Sequence, residues 1–365
     1  MKIVFAAYSY QPQVRSPLEW VEKIQPMAGI MQALCKYAEV YYVGRIGYEG
    51  NYTHEGVNYI FPRTPKGKNF FPIRFHKIIA ALRPDACIVP GFHFPVQLMQ
   101  LKRTVGRNCI VIARHHADQP WHGIKRMIQR CADRYTDNYL FNSKGNAEEW
   151  LQAKIIRNPK KIIELPAGTT TMQRQDIVQS LAITGMNGSP NFLWVGRLDE
   201  NKDPFTVLKA FEQLLDDKPS AKLYMVYQED KLINEVRSVI ETNDRLKSNV
   251  VLAGKIGYDQ LPHWYSAAHY HISSSHREGG SYALLEAMAC GAVPIVSNIP
   301  ASVKAVGDVG YVFKPGDVNG LFSIMTRLEL NEYSGRSKLV REYFQSEFSG
   351  EAIAKQLNEA IAKFR

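Results

Sequence analysis

The segment EGGSYALLE, residues 278–286, places two carboxylates eight residues apart, around a glycine pair and the start of a predicted helix. The helix is predicted over residues 282–290, with Ser281 as its N-cap and Gly291 as the residue that ends it. Glycines just before a helix let backbone N–H groups approach a ligand, and the unpaired amides of the first turn favour an anion. The segment therefore predicts a site for a long anionic ligand.

The two carboxylates of this segment are too far apart to act as a hydrolytic pair. In a continuous helix, Glu278 and Glu286 would lie roughly 12 Å apart along the axis. Retaining hydrolases need about 5 Å between the acid and the nucleophile. We therefore expect the two glutamates to contact different ends of one ligand. The alternative is that both are solvated surface charges, which is the usual state of glutamate.

The chain alternates predicted strands with predicted helices along its length. Short apolar runs predict the strands, and the helical spacing of Phe205, Leu208 and Phe211 is typical of the segments between them. This order indicates an α/β protein with mostly parallel, doubly wound sheets. The predicted strands are residues 3–7, 40–43, 86–89, 110–113, 138–141 and 161–164 in the first half, and 192–196, 223–226, 250–253, 270–273, 293–296 and 311–313 in the second.

The length of 365 residues indicates two domains of similar size. We predict a first Rossmann-like domain over residues 1–175, a linker at 176–190, where turn-forming residues cluster, and a second domain over 191–345. Residues 346–365 are predicted to form a C-terminal helix that can pack back on the first domain. Ligands of such sheets bind at the carboxyl ends of strands, so we expect the site in a cleft between the domains.

Three segments of the second half resemble the motifs of one enzyme family. Residues 278–294 look like the E-x7-E segment of family 4 type (group 1) glycosyltransferases of the GT-B fold. The segment VGRLDENK, residues 195–202, is similar to the family's donor-phosphate motif, and FKPGD at residues 313–317 adds to the likeness. The resemblance is strong over about residues 190–330 and loose over 1–175. It implies the GT-B fold, with two Rossmann-like domains and a cleft between them.

The resemblance also implies a role for each matched residue. Arg197 and Lys202 would hold the diphosphate of a nucleotide-sugar donor. Glu286 would bond the ribose hydroxyls, and Glu278 would bond hydroxyls of the transferred sugar. The catalytic candidates are thus Glu278, Arg197 and Lys202, together with His116 of the first half. The other donor-binding candidates are Gly196, Ile256, Gly279, Gly280, Ser281, Tyr282 and Leu285.

The predicted strand positions agree with a ligand site around Arg197 and Lys202. Residues 192–196 form an apolar strand, and Asp203, followed by a proline, is a favourable N-cap for the next helix. Both cations therefore fall on the loop at the carboxyl end of a strand, where ligands bind. The alternative for Arg197 is a surface ion pair with a neighbouring carboxylate.

Two histidines follow a predicted strand of the first half, at the position where members of this family often have a histidine in contact with the transferred sugar. Of the two, we favour His116 over His115. The alternative is a structural or surface histidine. No HExxH or DxD motif lies nearby, so we expect neither a metal nor a cofactor, with the nucleotide-diphosphate sugar as co-substrate.

Charge is divided unevenly along the chain. Residues 1–189 carry 25 Lys and Arg against 13 Asp and Glu, whereas residues 190–365 carry 20 against 22. A strongly basic first half indicates an anionic partner, and we prefer a membrane surface or a lipid-linked phosphate, faced by Lys102, Arg103, Arg126 and Arg130. The alternative is a solvated basic surface without a partner.

The cysteine and hydropathy patterns favour a reduced, cytoplasmic setting. The five cysteines form no CxxC pair and have no metal-ligand spacing. No stretch approaches the ~20 apolar residues of a membrane span, and the first apolar run is typical of a strand rather than a signal segment. We predict a cytoplasmic protein that can lie on the inner face of the cytoplasmic membrane.

The family resemblance, together with the charge distribution, implies a retaining hexosyltransferase that uses a UDP- or GDP-sugar and a cell-envelope glycan or lipid-linked acceptor. One alternative is a GT-B sugar-nucleotide 2-epimerase, which would share the diphosphate site but transfer nothing to an acceptor. A second is a nucleic-acid-binding protein that uses the basic half. That reading is disfavoured because nucleic-acid sites interleave aromatic and basic residues, and residues 102–107 contain no aromatic side chain.

Overall fold

A computed structural model of the protein describes residues 1–63, 71–90, 92–116, 118–166, 168–228 and 230–364. The chain forms two compact units, which are Met1–Thr171 with Ser349–Arg365, and Met172–Phe348. Each unit has its own sheet and its own hydrophobic core. Among the described residues, no helix combines the length and the hydrophobicity that crossing a bilayer requires.

The first unit is an α/β layer structure. Its strands, in chain order, are β1 (Lys2–Gln11), β2 (Glu39–Ile46), β3 (Gly50–His54), β4 (Val57–Phe61), β5 (Ala86–Pro90), β6 (Ile110–Arg114), β7 (Asn138–Phe141) and β8 (Ile162–Glu164). Its helices up to the end of β8 are α1 (Pro17–Lys23), α2 (Gln25–Leu34), α3 (Ile73–Ala81), α4 (Pro95–Val105), α5 (Gly123–Ala132) and α6 (Glu148–Gln152).

The strands of the first unit form one sheet in the order β3-β4-β2-β1-β5-β6-β7-β8. The described pairings are parallel except that between β3 and β4. All five residues of β6 are buried, as expected for a parallel strand that is covered on both faces. The six strands predicted from the sequence in this half are confirmed, with small differences at their ends.

The β3–β4 hairpin was not predicted from the sequence. Its turn has Glu55 at a φ of 46° and Gly56 at 81°, the left-handed pair that a tight two-residue hairpin needs. In β4, Val57, Tyr59 and Phe61 are buried and alternate with half-buried residues. This alternation is the signal that could have identified the strand.

The second unit is also an α/β layer structure. Its strands are β9 (Asn191–Val195), β10 (Lys222–Val226), β11 (Val250–Gly254), β12 (Tyr270–Ser273), β13 (Val293–Ser297) and β14 (Tyr311–Phe313), in the sheet order β11-β10-β9-β12-β13-β14. All described pairings are parallel, and the six strands predicted for this half are confirmed. Its helices are α7 (Ile177–Thr184), α8 (Pro204–Asp217), α9 (Ile233–Glu241), α10 (Asp244–Asn249), α11 (Leu261–Ala267), α12 (Tyr282–Cys290), α13 (Pro300–Val306), α14 (Val318–Thr326) and α15 (Leu330–Glu347).

The predicted linker differs from the structure. Residues 176–190 contain helix α7, which packs on α11 within the second unit. Asp176 is the N-cap of α7, and Gly185 ends it in the left-handed conformation, so turn-forming residues that resemble a linker are helix caps. The units divide between Thr171 and Met172 instead. At the other end of the chain, helix α16 (Gly350–Lys363) belongs to the first unit and packs against α2.

Candidate functional site

A cavity of about 510 Å³ opens in the second unit at the carboxyl ends of β9 and β10. The first turn of α12 and the residues that follow β11 complete its wall. The lining residues are Val195, Gly196, Arg197, Lys202, Val226, Tyr227, Gln228, Lys255, Ile256, Gly257, Tyr258, Leu261, Glu278, Gly280, Ser281, Tyr282 and Ala283. The cavity therefore lies where open parallel sheets bind their ligands.

Most of the candidates from the sequence come together in this cavity. Eight of the predicted residues line it, namely Gly196, Arg197, Lys202, Ile256, Glu278, Gly280, Ser281 and Tyr282. Gly279, Leu285 and Glu286 are not among the lining residues. Leu285 is 7% exposed and belongs to the hydrophobic core, so its expected contact with a donor is not seen.

Lys202 and Glu278 form an ion pair within the cavity wall. The Lys202 Nζ bonds Glu278 Oε1, and the Ser275 hydroxyl donates to the same carboxylate oxygen at 2.9 Å. The two side chains are 17% and 14% exposed, so solvent screens the pair less than it screens a surface pair. The predicted phosphate-binding cation and the predicted sugar-binding carboxylate are thus direct neighbours.

The loop that carries Lys202 is fixed by hydrogen bonds from both of its sides. The Lys202 amide donates to Asp199 Oδ1 at 2.9 Å, and the Ser274 hydroxyl donates to the Lys202 carbonyl at 2.6 Å. The indole of Trp194 in turn donates to Ser274 at 3.1 Å. These bonds hold the backbone of Lys202 in place, which lowers the entropy lost on binding a ligand.

The predicted N-cap of α8 is confirmed. Asp203 has a left-handed φ of 46°, and its carboxylate accepts the Thr206 amide at 3.1 Å. The His276 ring contacts the same carboxylate at 3.0 Å. This contact joins the loop after β9 to the loop after β12, the two loops that supply Lys202 and Glu278.

Arg197 lies at the rim of the cavity. Its Nε is 3.2 Å from Asp199 Oδ2, and its side chain is 49% exposed. The surface pair considered from the sequence therefore exists. It does not exclude a ligand contact, because an exposed ion pair contributes little free energy and can open to bind an anion.

The first turn of α12 borders the cavity. The hydroxyl of Ser281, the predicted N-cap, accepts the Leu284 amide at 3.4 Å. Residues 281–283 line the cavity, so the positive end of the helix dipole faces it. The helix runs over residues 282–290 as predicted, and Gly291 ends it with a φ of 87°.

Glu286 lies on the inner side of α12 and is 7% exposed. Burial raises the pKa of its carboxyl to about 7, while a bond from the Tyr265 hydroxyl to Oε2, at 2.9 Å, acts in the opposite direction. The sequence did not identify Tyr265, because it comes from α11 and its spacing from Glu286 has no motif. It is the partner that sets the orientation of this carboxylate.

The raised pKa of Glu286 predicts a pH-dependent stability. The folded protein holds this proton up to about pH 7, whereas the unfolded chain releases it near 4.5, so this group's stabilising contribution is fully present below about pH 4.5 and is lost as the pH rises through 7. Glu286→Gln keeps an acceptor for Tyr265 but cannot ionise. We expect the variant to match the wild type at pH 4 and to be on the order of 2 kcal/mol more stable at pH 8. Urea unfolding at both pH values measures this difference, and an equal difference at the two values would contradict it.

The two histidines after β6, in the first unit, differ sharply in exposure. His115 is 2% exposed, stacks on Phe141 with ring centroids 4.7 Å apart, and contacts the Asp118 carbonyl at 3.1 Å. His116 is exposed and accepts a bond from Arg114 Nε at 3.2 Å. His116 is therefore the one of the two that a ligand can reach, in keeping with the preference from the sequence.

Two of the basic residues expected to face an anionic surface are held by contacts within the first unit. Lys102 Nζ is bonded to Asp137 at 2.6 Å and to the Cys109 carbonyl at 2.7 Å, and its side chain is 15% exposed. Arg103 donates to the Tyr135 hydroxyl at 2.7 Å. These contacts on α4 are structural, so the expectation that Lys102 faces a membrane is wrong. Within the described part of the chain, no group of three metal-ligating side chains comes together.

Comparison with known proteins connects this geometry to a family. Residues 189–331 match the model of the glycosyl transferases group 1 family. The O-antigen chain mannosyltransferase B of Escherichia coli is 28% identical over 134 residues, 35% of this chain and 34% of that protein. The mannosylfructose-phosphate synthase of Agrobacterium fabrum is 26% identical over 176 residues, 45% of this chain and 38% of that protein. The chain thus matches well under half the length of these curated relatives.

Solved structures share the fold over the whole chain. Sucrose-phosphate synthase from Thermosynechococcus elongatus superposes with a TM-score of 0.71 at 19% identity, covering 100% of this chain and 98% of that one. Anabaena HepE in complex with UDP gives a TM-score of 0.73 at 14% identity, with 100% of both chains covered. A glycosyltransferase from Rickettsia africae gives 0.73 at 13% identity, covering 99% and 98%. The predicted GT-B fold, with two Rossmann-like domains, is confirmed.

Proposed function

We propose that this chain, a group 1 glycosyltransferase with the GT-B fold, is a retaining enzyme that moves a hexose from a nucleotide-diphosphate sugar to a hydroxyl of a cell-envelope glycan or lipid-linked acceptor. The observation that carries the proposal is the cavity in the second unit. There Lys202, Arg197 and the first turn of α12 supply positive charge beside the Glu278 carboxylate.

In this proposal the diphosphate binds between Lys202, Arg197 and the start of α12. Cleavage of the bond between the sugar carbon and the phosphate oxygen places negative charge on the leaving diphosphate. Fixed cations and helix amides stabilise such a charge best when they need no rearrangement, and the hydrogen bonds around Lys202 provide that order. The charged side chains thereby stabilise the leaving diphosphate, which is the role of a metal ion in many transferases.

In this proposal the two glutamates bind different parts of the donor. The Glu278 carboxylate, at the cavity wall, accepts bonds from hydroxyls of the transferred sugar. The ribose hydroxyls are assigned to Glu286, as the family resemblance implies, although its carboxylate is buried and does not line the cavity. The base of the nucleotide would lie against residues 255–258, which complete the wall beyond β11.

For the transfer step, we propose that the acceptor hydroxyl attacks from the side that the diphosphate leaves. The new bond joins the acceptor oxygen to the sugar carbon, and the acceptor's proton passes to the leaving diphosphate. No enzyme nucleophile is then required, and the configuration at the sugar carbon is retained. We assign acceptor binding to the first unit and a contact with the transferred sugar to His116, as the family resemblance implies.

A screen of sugar nucleotides tests the function. Because a ligand that binds only the folded state raises its melting temperature, thermal shift with UDP- and GDP-linked glucose, galactose and mannose identifies the donor. Mannose belongs in the panel because both curated relatives have a mannosyl unit in their names. The selected donor is then incubated with and without an acceptor glycan. Acceptor-dependent release of the diphosphate supports the proposal, whereas formation of a new sugar epimer from the donor alone would replace it with the epimerase.

Removal of divalent metal ions provides a further prediction. If Lys202, Arg197 and α12 supply the charge that stabilises the leaving diphosphate, transfer should keep at least about half of its rate in excess EDTA. A metal-dependent transferase with a DxD motif serves as the positive control for chelation. A loss of activity that Mg²⁺ or Mn²⁺ restores would contradict the proposed role of the side chains.

A further inference from the structure

Helix α5, in the first unit, exposes apolar side chains to solvent. Ile124 is 80% exposed and Met127 is 62% exposed, the former being the most exposed large hydrophobic side chain of the described residues. Positions three apart lie on one face of a helix, and Cys131, four residues further on, continues the same stripe and is also exposed. Gln129 and Ala132 on the inner face are buried.

The same helix is cationic. Its ten residues include Lys125, Arg126 and Arg130 and no acidic residue. The Arg126 guanidinium donates to the Ala153 carbonyl at 2.6 and 3.0 Å, and Arg130 Nε donates to the Lys154 carbonyl at 3.0 Å. These bonds hold both guanidinium groups beside the apolar stripe, between α5 and the end of α6.

A groove of about 570 Å³ continues this surface beyond α5. Its walls combine apolar side chains with three cations, and none of its lining residues is acidic. The lining residues are Met127, Arg130, Cys131, Leu151, Lys154, Ile156 and Arg157. A groove that combines apolar side chains with cations matches an amphiphile that carries negative charge.

We infer that α5 and this groove form a docking surface for an anionic phospholipid bilayer. Ile124 and Met127 enter the interfacial layer, and the cations of α5 and the groove face the phosphate groups. Amphipathic helices bind bilayers in this way, with an apolar face in the interface and basic residues attracted to anionic lipid. The inference concerns the first unit and does not depend on which donor the second unit binds.

Charge favours a lipid surface over the other possible occupants. In a symmetric dimer through α5, each copy would bring the same cationic face to the contact, and like charges would repel. A bilayer provides both apolar depth for Ile124 and Met127 and a continuous layer of negative charge. A lipid-linked acceptor would lie in the same plane, so docking would bring the enzyme to its substrate.

Sedimentation with vesicles tests the surface. The full-length protein is mixed at 0.1 M salt with vesicles of phosphatidylglycerol and phosphatidylcholine, or of phosphatidylcholine alone. We expect binding to the anionic vesicles only, and a loss of at least about tenfold in the Ile124→Ser/Met127→Ser variant. Val178→Ser is the apolar control, because Val178 is 76% exposed but lies on α7 of the second unit. It should bind like the wild type.

Two variants that each lose two positive charges show which cations attract the protein to anionic vesicles. Lys154→Gln/Arg157→Gln removes two cations that line the groove, and we expect about a tenfold loss of vesicle binding. Arg107→Gln/Lys160→Gln removes two cations from a separate basic cavity of the same unit and should bind nearly as the wild type. Equal losses in the two variants would overturn the assignment to α5 and the groove, since net charge alone would then explain binding.

A fluorophore on Cys131 reports the contact directly. Cys131 is the exposed cysteine of the described chain, and Cys35→Ser removes the other partly accessible thiol. We expect an environment-sensitive label at Cys131 to shift to the blue on anionic vesicles and to return as salt rises to 1 M, where the Debye length is about 3 Å. The inference would be overturned if the label did not shift or if the protein did not bind vesicles. It would also be overturned if the protein formed a dimer that the Ile124→Ser/Met127→Ser variant abolishes.

Discussion

Lys202→Ala is expected to weaken binding of the donor's nucleoside diphosphate about 10- to 150-fold. A bond between an ammonium and a phosphate belongs to the strong, charge-assisted class, which contributes about 1.5–3 kcal/mol. The variant also leaves Glu278 without its cation in a partly buried position, where the carboxylate repels the incoming diphosphate. Titration calorimetry of the wild type and the variant measures the change.

Lys231→Ala is the matched control for this variant. Lys231 is paired with Glu200 at 2.7 Å, is 67% exposed, and is not among the residues that line the cavity. Its removal deletes the same charge from the same unit and should change the dissociation constant by less than about twofold. If the two alanine variants bind the nucleotide equally well, Lys202 does not hold the diphosphate.

Glu278→Gln is expected to separate transfer from nucleotide binding. Loss of charge-assisted bonds to the sugar hydroxyls should lower the transfer rate about 10- to 100-fold. The free diphosphate carries no sugar, and neutralising Glu278 releases the ammonium of Lys202 from its ion pair. The affinity for the nucleoside diphosphate should therefore stay the same or increase, so the two variants of this ion pair act in opposite directions on it.

Steady-state transfer kinetics and calorimetry on the same preparation measure this separation. Glu200→Gln removes a carboxylate that is 66% exposed and paired with Lys231, and it should leave both quantities unchanged. If the Glu278→Gln variant loses nucleotide affinity by the same factor as transfer rate, then Glu278 stabilises the cavity and does not bind the sugar.

The sequence predicts the parallel core of this fold well, because its strands are short apolar runs with clear ends. Every strand predicted in the second half is present, and α12 has the predicted bounds. The β3–β4 hairpin and helix α7 were missed for local reasons. Polar residues in β3 obscure the strand pattern, and the caps of α7 are the same residue types that form linkers.

The contacts within the candidate site were harder to predict, because they join distant segments. Lys202 and Glu278 were each identified from a motif, but their ion pair depends on two loops 76 residues apart in the chain. The burial of Glu286 and its bond from Tyr265 depend on how α11 packs on α12. Residue spacing does not reveal how α11 packs on α12, so the raised pKa of the Glu286 carboxyl could not be predicted from the sequence.

Titration of the protein with nucleoside diphosphates and the matching monophosphates tests the central claim most directly. If the cavity holds the diphosphate of a sugar donor, one diphosphate should bind with one site per chain. Its monophosphate should bind at least about tenfold more weakly, because it lacks a phosphate that Lys202 and α12 can hold. Equal affinity for the two forms, or no binding of UDP or GDP at millimolar concentration, would contradict the account.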